Sequence, residues 1–336
     1  MDGNVECMEP ISPLPLSALF PLRSAVVTLR FLQASHPAFL HQPALGAFLR
    51  FLAGSPEGFK RLIRFDAPES GRIAYQPGQC YRFTLICLAG GEPMFKTLLG
   101  NLAKLPGSSP QQDRPLPFRD NCALAALHDS FTAEAVQGFE DLSAYDFANL
   151  QQEAELWRGC ARLTWHMLSP ARLLKAKARR GNVKGEARYC RNLSDLDGNL
   201  LTARLYDSLA ELLRSRGVAT PPRPPAPPVQ IDQGHLFWQD ADYTDAVGGS
   251  HVIGGMSGRL ELAFPEPPPV EWLHWAIGGQ YTGLGQRTAF GLGRYQLQAP
   301  DGGVSCRRTL PAASWLTLAR AEGKLQEAYL QLAQSG

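Results

Sequence analysis

The segment GLGQRTAFGLG, residues 283–293, contains two Gly-Leu-Gly triplets separated by five residues. It follows a stretch with a helical pattern, residues 271–280, and leads into a strand-like stretch, residues 294–299. Glycine weakens regular elements, so four glycines at such regular positions indicate a special requirement on the backbone. Two roles are open. The loop turns tightly through positive φ angles, or its bare N–H groups receive a phosphate.

This loop differs from the two common phosphate-binding motifs. In the dinucleotide pattern G-x-G-x-x-G the third glycine would fall at Thr288. That motif also follows a strand and opens a helix, whereas this segment follows a helix and precedes a strand. No Gly-Lys-Ser/Thr sequence is present, so it is not a Walker loop either. The segment is therefore predicted to be a glycine-rich loop between the last helix and the last strand of an α/β unit.

The residues upstream of the loop predict the rest of that unit. β-Branched and aromatic residues predict strands, and leucines at helical spacing predict a helix around residues 201–212. The predicted strands cover residues 157–168, 229–239 and 255–265. With the helix at 270–277 and the last strand, the order is β-α-β-β-α-β, which is typical of a ferredoxin-like domain. This second domain is placed at residues 155–300, and PPRPPAPP at 221–228 is a stiff connector within it.

The same order of elements is predicted in the first half of the chain, residues 20–150. Helical patterns occur at 44–54, where Gly54 closes the helix, and at 93–105. Strand patterns occur at 24–34, 62–67, 79–90 and 122–131. The predicted fold class is therefore α+β, with two tandem ferredoxin-like domains and an additional C-terminal helix at 311–334.

Composition limits the kinds of partner. The 336 residues carry a net charge of only +2, so nucleic-acid binding would have to rest on a local basic patch. No apolar run approaches the roughly 20 residues of a membrane span, and the acidic N-terminus does not resemble a signal peptide. The seven scattered cysteines form no C-x-x-C pair. We expect a cytoplasmic protein with reduced thiols, no zinc site and no membrane partner.

The glycine pattern resembles the signature of the RAMP superfamily of CRISPR-associated RNA-binding proteins. HVIGGMSGRLELAF at 251–264, followed by a helix and the glycine motif, resembles the C-terminal part of the endoribonuclease that processes CRISPR precursor RNA. WHMLSPARLLK at 165–175 resembles that family's central strand, and HQPALGAFLRFL at 41–52 resembles its first helix.

This resemblance implies an activity and a set of partners. Family members cleave repeat RNA without a metal or other cofactor, by attack of a ribose 2′-OH on the adjacent phosphate. The products carry a 2′,3′-cyclic phosphate and a 5′-OH. Expected partners are CRISPR repeat RNA and possible further CRISPR-associated subunits or a fused neighbouring domain. Two alternatives stay open: a non-catalytic RAMP subunit that holds guide RNA, and an RNA-binding protein unrelated to CRISPR.

A histidine is the expected acid–base group, because its pKa lies near neutrality. In the family the catalytic histidine sits just before or within the first helix. His41, in LHQPALGAF, matches that arrangement best, and His36, in ASHPAF, is the second candidate. The role of either as a plain loop-packing residue is the alternative.

Two segments are predicted to contact RNA. The first is the glycine loop, through Gly283, Gly285, Gln286, Arg287, Gly291 and Gly293. The second is a basic run in which residues 175–191 contain seven Lys or Arg and one acid, Glu186. From this run we selected Lys175, Lys177, Arg179, Arg180 and Lys184 as phosphate contacts. Charge runs are more commonly solvated loops, and that reading is the alternative here.

Overall fold

The computed structural model describes residues 14–105, 118, 121–177, 184–244 and 249–298. It is a mixed α/β structure with two four-stranded antiparallel sheets, one formed by each half of the chain. The predicted C-terminal helix at 311–334, together with Arg179 and Arg180, lies outside the described residues.

The first sheet has the strand order β2-β3-β1-β4. Its strands are β1 (Arg23–Phe31), β2 (Ile63–Asp66), β3 (Cys80–Cys87) and β4 (Cys122–Asp129). Alternate β1 residues, from Ala25 to Phe31, are buried in one apolar cluster with helix α1 (Gln42–Ala53) and helix α3 (Glu92–Ala103). This alternation is the period of two that a strand requires when one of its faces meets a core.

The second sheet repeats that order as β6-β7-β5-β8. Its strands are β5 (Arg162–Ala171), β6 (Gln230–Thr244), β7 (Ser250–Ala263) and β8 (Tyr295–Gln298). Helix α5 (Gly198–Ser215) and helix α6 (Val270–Thr282) cover one face. The glycine loop therefore joins the last helix to the last strand of this unit, as the sequence predicts.

Two short helices were not predicted. Helix α2 (Pro56–Leu62) fills the gap between α1 and β2, and helix α4 (Phe147–Trp157) links the two sheets. Helix α4 packs on α6, where Gly278 lies against Leu150. Both are short and carry weak periodicity, which explains why the sequence alone did not show them.

Strand β5 extends further than expected. The prediction ended it at Ser169-Pro170, but the strand continues to Ala171, with a shift in register between Met167 and Ala171. Pro170 lacks an N–H, and its carbonyl instead accepts a hydrogen bond from Gly293. The proline thus bends the ladder towards the glycine loop and does not end the strand. No helix among the described residues is long and apolar enough to cross a membrane.

Candidate functional site

All four glycines of the loop have backbone angles that favour glycine. Their φ values are 91° at Gly283, 88° at Gly285, 77° at Gly291 and 72° at Gly293. Arg287, between the triplets, is also left-handed with a φ of 61°. The predicted need for positive φ is therefore confirmed.

The same glycines do not offer free N–H groups to a phosphate. Gly283 donates to Gly279 O, Gly291 to Thr288 O and Gly293 to Pro170 O. Gly285 donates to the hydroxyl of Ser208 at 2.7 Å. Because each donor is already used within the protein, the idea that these four glycines cradle a phosphate through their N–H groups is wrong. The tight turn is the role that the geometry supports.

The loop also forms a joint between the two halves of the chain. The ring of Phe65, on β2, lies so close to Gly291 that a Cβ there would be 2.6 Å from Phe65 Cε2. The guanidinium of Arg50, on α1, lies 4.5 Å from the centre of the Phe290 ring. The glycine loop of the second unit is thus seated on β2 and α1 of the first.

Buried charges accompany this joint. Arg64, on β2, is 2% exposed and donates from Nε to the carbonyl of Thr282 at 3.1 Å. Arg294, which follows the glycine loop, is 1% exposed and interacts electrostatically with Asp66. Burial, and then the positive charges of Arg294 and Arg216, lower the pKa of Arg64 to about 9. Three consecutive residues of β2 therefore interact with the glycine loop or the residues that flank it: Arg64, Phe65 and Asp66.

Arg172 connects three segments that are distant in sequence. It follows Ser169-Pro170-Ala171 and is only 3% exposed. Its Nη1 donates to Gly254 O on β7 at 2.7 Å, and its Nη2 donates to Glu186 at 2.9 Å. Its own carbonyl accepts from the N–H of Gln286, at 3.0 Å, in the glycine loop. Sequence reasoning missed this residue, because a single arginine after a strand carries no signal of its partners.

The basic run meets the glycine loop through Tyr189. The Tyr189 hydroxyl donates to Gln286 Oε1 at 2.7 Å, and the Arg172 guanidinium lies 4.2 Å from the centre of its ring. Gln286 is therefore engaged within the protein, whereas Arg287 is exposed. Two segments predicted separately to contact RNA are thereby brought to one surface.

The predicted phosphate contacts of the basic run differ in their surroundings. Lys177 and Lys184 are exposed. Lys175 is half-buried and forms an ion pair with Asp195 at 2.8 Å, which neutralises much of its charge. Arg188 and Arg191, at the end of the run, are exposed and lie over the rings of Tyr189 and Trp238. Among the described residues, the exposed cations of the basic run and the glycine loop are thus Lys177, Lys184, Arg188, Arg191 and Arg287.

His41 is buried. It is 0% exposed, and its Nε2 donates to the carbonyl of Arg72 at 3.0 Å. Since a carbonyl only accepts, Nε2 carries the proton, and Nδ1 accepts from the Tyr81 hydroxyl at 3.2 Å. Burial, followed by the charge of Arg72, lowers the pKa of His41 from its ordinary 6.5 to about 4. Both ring nitrogens are engaged inside the protein, and the catalytic role of His41 stays a prediction that requires these bonds to open when RNA binds.

His36 has the opposite setting. It is exposed, in the loop between β1 and α1. The preceding residue, Ser35, pairs with Tyr75 through two backbone hydrogen bonds of 2.9 Å. The half-exposed guanidinium of Arg72 lies 4.2 Å from the centre of the Tyr75 ring. The exposed imidazole of His36 therefore lies in a loop that is hydrogen-bonded to the segment carrying Tyr75 and Arg72.

The described part of the chain contains no group of three or more His, Cys, Asp or Glu residues placed to hold a metal ion.

No family model matches the sequence, and no curated protein does either. Solved structures do match. A chain of a partial Cas6-RT-Cas1–Cas2 complex has a TM-score of 0.63 and 25% identity, over 84% of this chain and 47% of that chain. A chain of a second Cas6-RT-Cas1–Cas2 complex gives the same score and identity, over 84% of this chain and 29% of that chain. A Cas6 product complex has a TM-score of 0.50 and 16% identity, over 82% of this chain and 98% of that chain.

The two-sheet fold of this chain therefore resembles that of chains containing Cas6, and the resemblance seen in the sequence is confirmed as a likeness in fold. The chain spans about half, 47%, of the length of the first Cas6-RT-Cas1–Cas2 chain that it matches.

Proposed function

We propose that this chain is an endoribonuclease that cleaves CRISPR repeat RNA into guide RNAs. The observation that carries the proposal is the likeness in fold to Cas6 over 84% of the chain, at a TM-score of 0.63. We also propose that residues 20–150 and 155–300 are two tandem ferredoxin-like domains. The repeated strand orders, β2-β3-β1-β4 and β6-β7-β5-β8, support this division.

The proposed reaction needs no metal. The ribose 2′-oxygen forms a bond to the adjacent phosphorus, and the bond from phosphorus to the 5′-oxygen of the next nucleotide breaks. The 2′-OH proton passes to a base, and the leaving 5′-oxygen receives a proton from an acid. His36, with its exposed imidazole, is the proposed proton-transfer residue. Arg72, in the neighbouring segment, is suited to stabilise charge that develops on the phosphate.

RNA is proposed to lie along the surface where the basic run meets the glycine loop. Exposed Lys177, Lys184 and Arg287 would contact phosphates, and so would Arg179 and Arg180 of the same run. Within the loop, Gly283, Gly285, Gly291 and Gly293 act by shaping the backbone, and Gln286 acts through Tyr189. By analogy with the fused chains that it matches, a neighbouring CRISPR-associated domain is the proposed partner.

The second candidate function is a non-catalytic RAMP subunit that holds guide RNA. The burial of His41 favours it, because the histidine that best matched the family's arrangement is withdrawn from solvent. The two candidates share the RNA surface and differ in the role of His36.

The deciding experiment incubates the purified chain with labelled repeat RNA in EDTA and analyses the product ends. The expected result is a single cut that leaves a 2′,3′-cyclic phosphate and a 5′-OH. Cleavage that stops with the chelator, or a 5′-phosphate product, would contradict the proposed chemistry. Tight binding of intact repeat RNA without any cut would establish the non-catalytic alternative.

A further inference from the structure

Trp238 contacts both Gly254 and Arg191 where the long β6–β7 hairpin meets the basic run. The indole of Trp238, on β6, rests on the backbone of Gly254, on β7. A Cβ on Gly254 would be only 2.5 Å from Trp238 Cζ2 and 2.7 Å from Cε2. Glycine at this position therefore allows the ring to lie flat on the neighbouring strand.

Hydrogen bonds hold Trp238 and Gly254 in place. Trp238 Nε1 donates to Asp240 Oδ1 at 2.6 Å, which sets the plane of the indole. Gly254 O accepts from the buried Arg172 at 2.7 Å, which holds the strand beneath the ring. Because Trp238 is held by Asp240 and packs against Gly254, its indole has a fixed orientation.

Arg191 packs against the same indole. Its guanidinium carbon lies 4.9 Å from the centre of the Trp238 ring, and Nη2 lies 4.0 Å from Asp240 Oδ2. Its backbone N–H donates to Asp195 at 2.9 Å. Although it is fixed at both ends, the Arg191 side chain stays 46% exposed. A cationic side chain is thus held against the Trp238 ring while nearly half of it stays exposed.

A partly exposed guanidinium held against an indole is suited to stack on a nucleobase. A guanidinium plane stacks on the face of any base, and nucleic-acid proteins combine such stacking with nearby cations that contact phosphates. A suitable cation is adjacent, because the exposed Arg188 lies over the ring of Tyr189, whose centre is 6.3 Å from that of Trp238. A lysine at position 191 would keep the charge and lose the plane.

We propose that Arg191, supported by Trp238, stacks on an unpaired base of the bound RNA and so selects RNA in which a single-stranded nucleotide lies beside the basic surface. This inference rests on the proposed RNA-binding function. It assigns to the pair a preference for an unpaired base, which phosphate contacts alone do not provide. The preference tolerates different sequences, because every base has a stackable face.

The test compares three RNAs at matched salt, by fluorescence anisotropy. One is the repeat RNA with its single-stranded flanks, the second has abasic nucleotides in those flanks, and the third lacks the flanks. The parent chain should bind the first more tightly than the second by about fivefold to a hundredfold, the usual range for one stacked base. Arg191→Lys should remove that difference while leaving affinity for the abasic RNA and the salt slope unchanged.

Two further variants make the result specific. Trp238→Phe, which keeps an aromatic support, should retain most of the difference, and Trp238→Leu should lose it. Lys184→Ala is the matched phosphate control, and it should weaken binding to all three RNAs by a similar factor with a shallower salt slope. Melting temperatures of the variants show whether each chain is folded.

Several outcomes would overturn the inference. If Arg191→Lys distinguishes intact from abasic flanks as the parent does, the stacking role is absent. If the parent binds both RNAs equally, no base is stacked at this surface, although the proposed RNA binding stands. If the parent binds none of the three RNAs, the proposed function fails together with this inference.

Discussion

The ring of Phe65 lies directly against the backbone of Gly291, two residues separated by more than two hundred positions in the chain. A Cβ on Gly291 would be 2.6 Å from the nearest ring carbon, closer than packed carbon atoms approach. The second glycine triplet thus packs against strand β2, which belongs to the other half of the chain. The glycine motif acts in the joint between the two units.

Gly291→Ala should therefore destabilise the protein by roughly 2–4 kcal/mol, from strained φ and from overpacking against Phe65. Gly54→Ala is the matched control. Gly54 has a similar φ of 68°, but nothing lies within 4 Å of its absent Cβ. This control should cost only about 1 kcal/mol. Chemical denaturation measures the free energy of unfolding of both variants. Equal losses would mean that the Phe65 ring moves aside without an energetic cost.

Stability should depend on pH through His41. Its pKa is lowered to about 4 in the folded chain, so the folded state binds fewer protons than the unfolded state between pH 4 and 6.5. The stability from neutral His41 is thus fully present above pH 6.5 and is lost as the pH falls towards 4. A shift of this size corresponds to roughly 3 kcal/mol. Denaturation of the parent and of His41→Gln across this range isolates the effect, because the variant should lack this part of the pH dependence.

Replacing His36 with Ala should slow cleavage of repeat RNA by roughly 10²–10⁴-fold while leaving the affinity for uncut RNA nearly unchanged. Single-turnover rates and binding of a 2′-deoxy substrate measure the two quantities separately. His235→Ala, which removes an exposed histidine on β6, is the control and should cleave normally. A His36→Ala chain that cleaves at the parent rate would exclude His36 from the reaction.

Arg287→Ala should weaken RNA binding and lower the salt slope by about one unit or slightly less, as expected for one lost phosphate contact. Lys175→Ala offers a contrast within the same surface. Because Lys175 is paired with Asp195 at 2.8 Å, removing it should change the salt slope much less. Titrations at several salt concentrations measure both slopes. If both variants lowered the salt slope equally, Lys175 would contact an RNA phosphate in the complex and would no longer pair with Asp195.

Arg172→Lys should destabilise the second unit by roughly 1–3 kcal/mol, because one ammonium cannot reproduce the forked bonds to Gly254 and Glu186. Hydrogen exchange should then rise at the glycine loop and on β7 together. Exchange that rises at only one of these segments would show that Arg172 does not couple them.

Much of the fold could be predicted because its signals are local. The β-branched residues of β1, the leucines of α5 and the glycine that ends α1 each act through neighbours within a few residues. Those signals placed both ends of five of the eight strands within three residues, and they predicted the order of elements in both halves apart from α2 and α4. Strand β5 was ended too early, because a proline normally stops a ladder and here only bends it.

The sequence by itself determined the order of most elements, the regular placement of four glycines before the last strand and the presence of histidines before the first helix. Only the tertiary structure decided what these residues do. In the folded chain the N–H groups of the four glycines donate to partners within the protein, and His41 is buried between Tyr81 and Arg72. His36 stays exposed, and Arg172 contacts three segments that are distant in sequence. The physical reason is that backbone angles and periodicity are set by adjacent residues. Burial and hydrogen-bond partners are set by residues that meet only when the two sheets have formed and packed together.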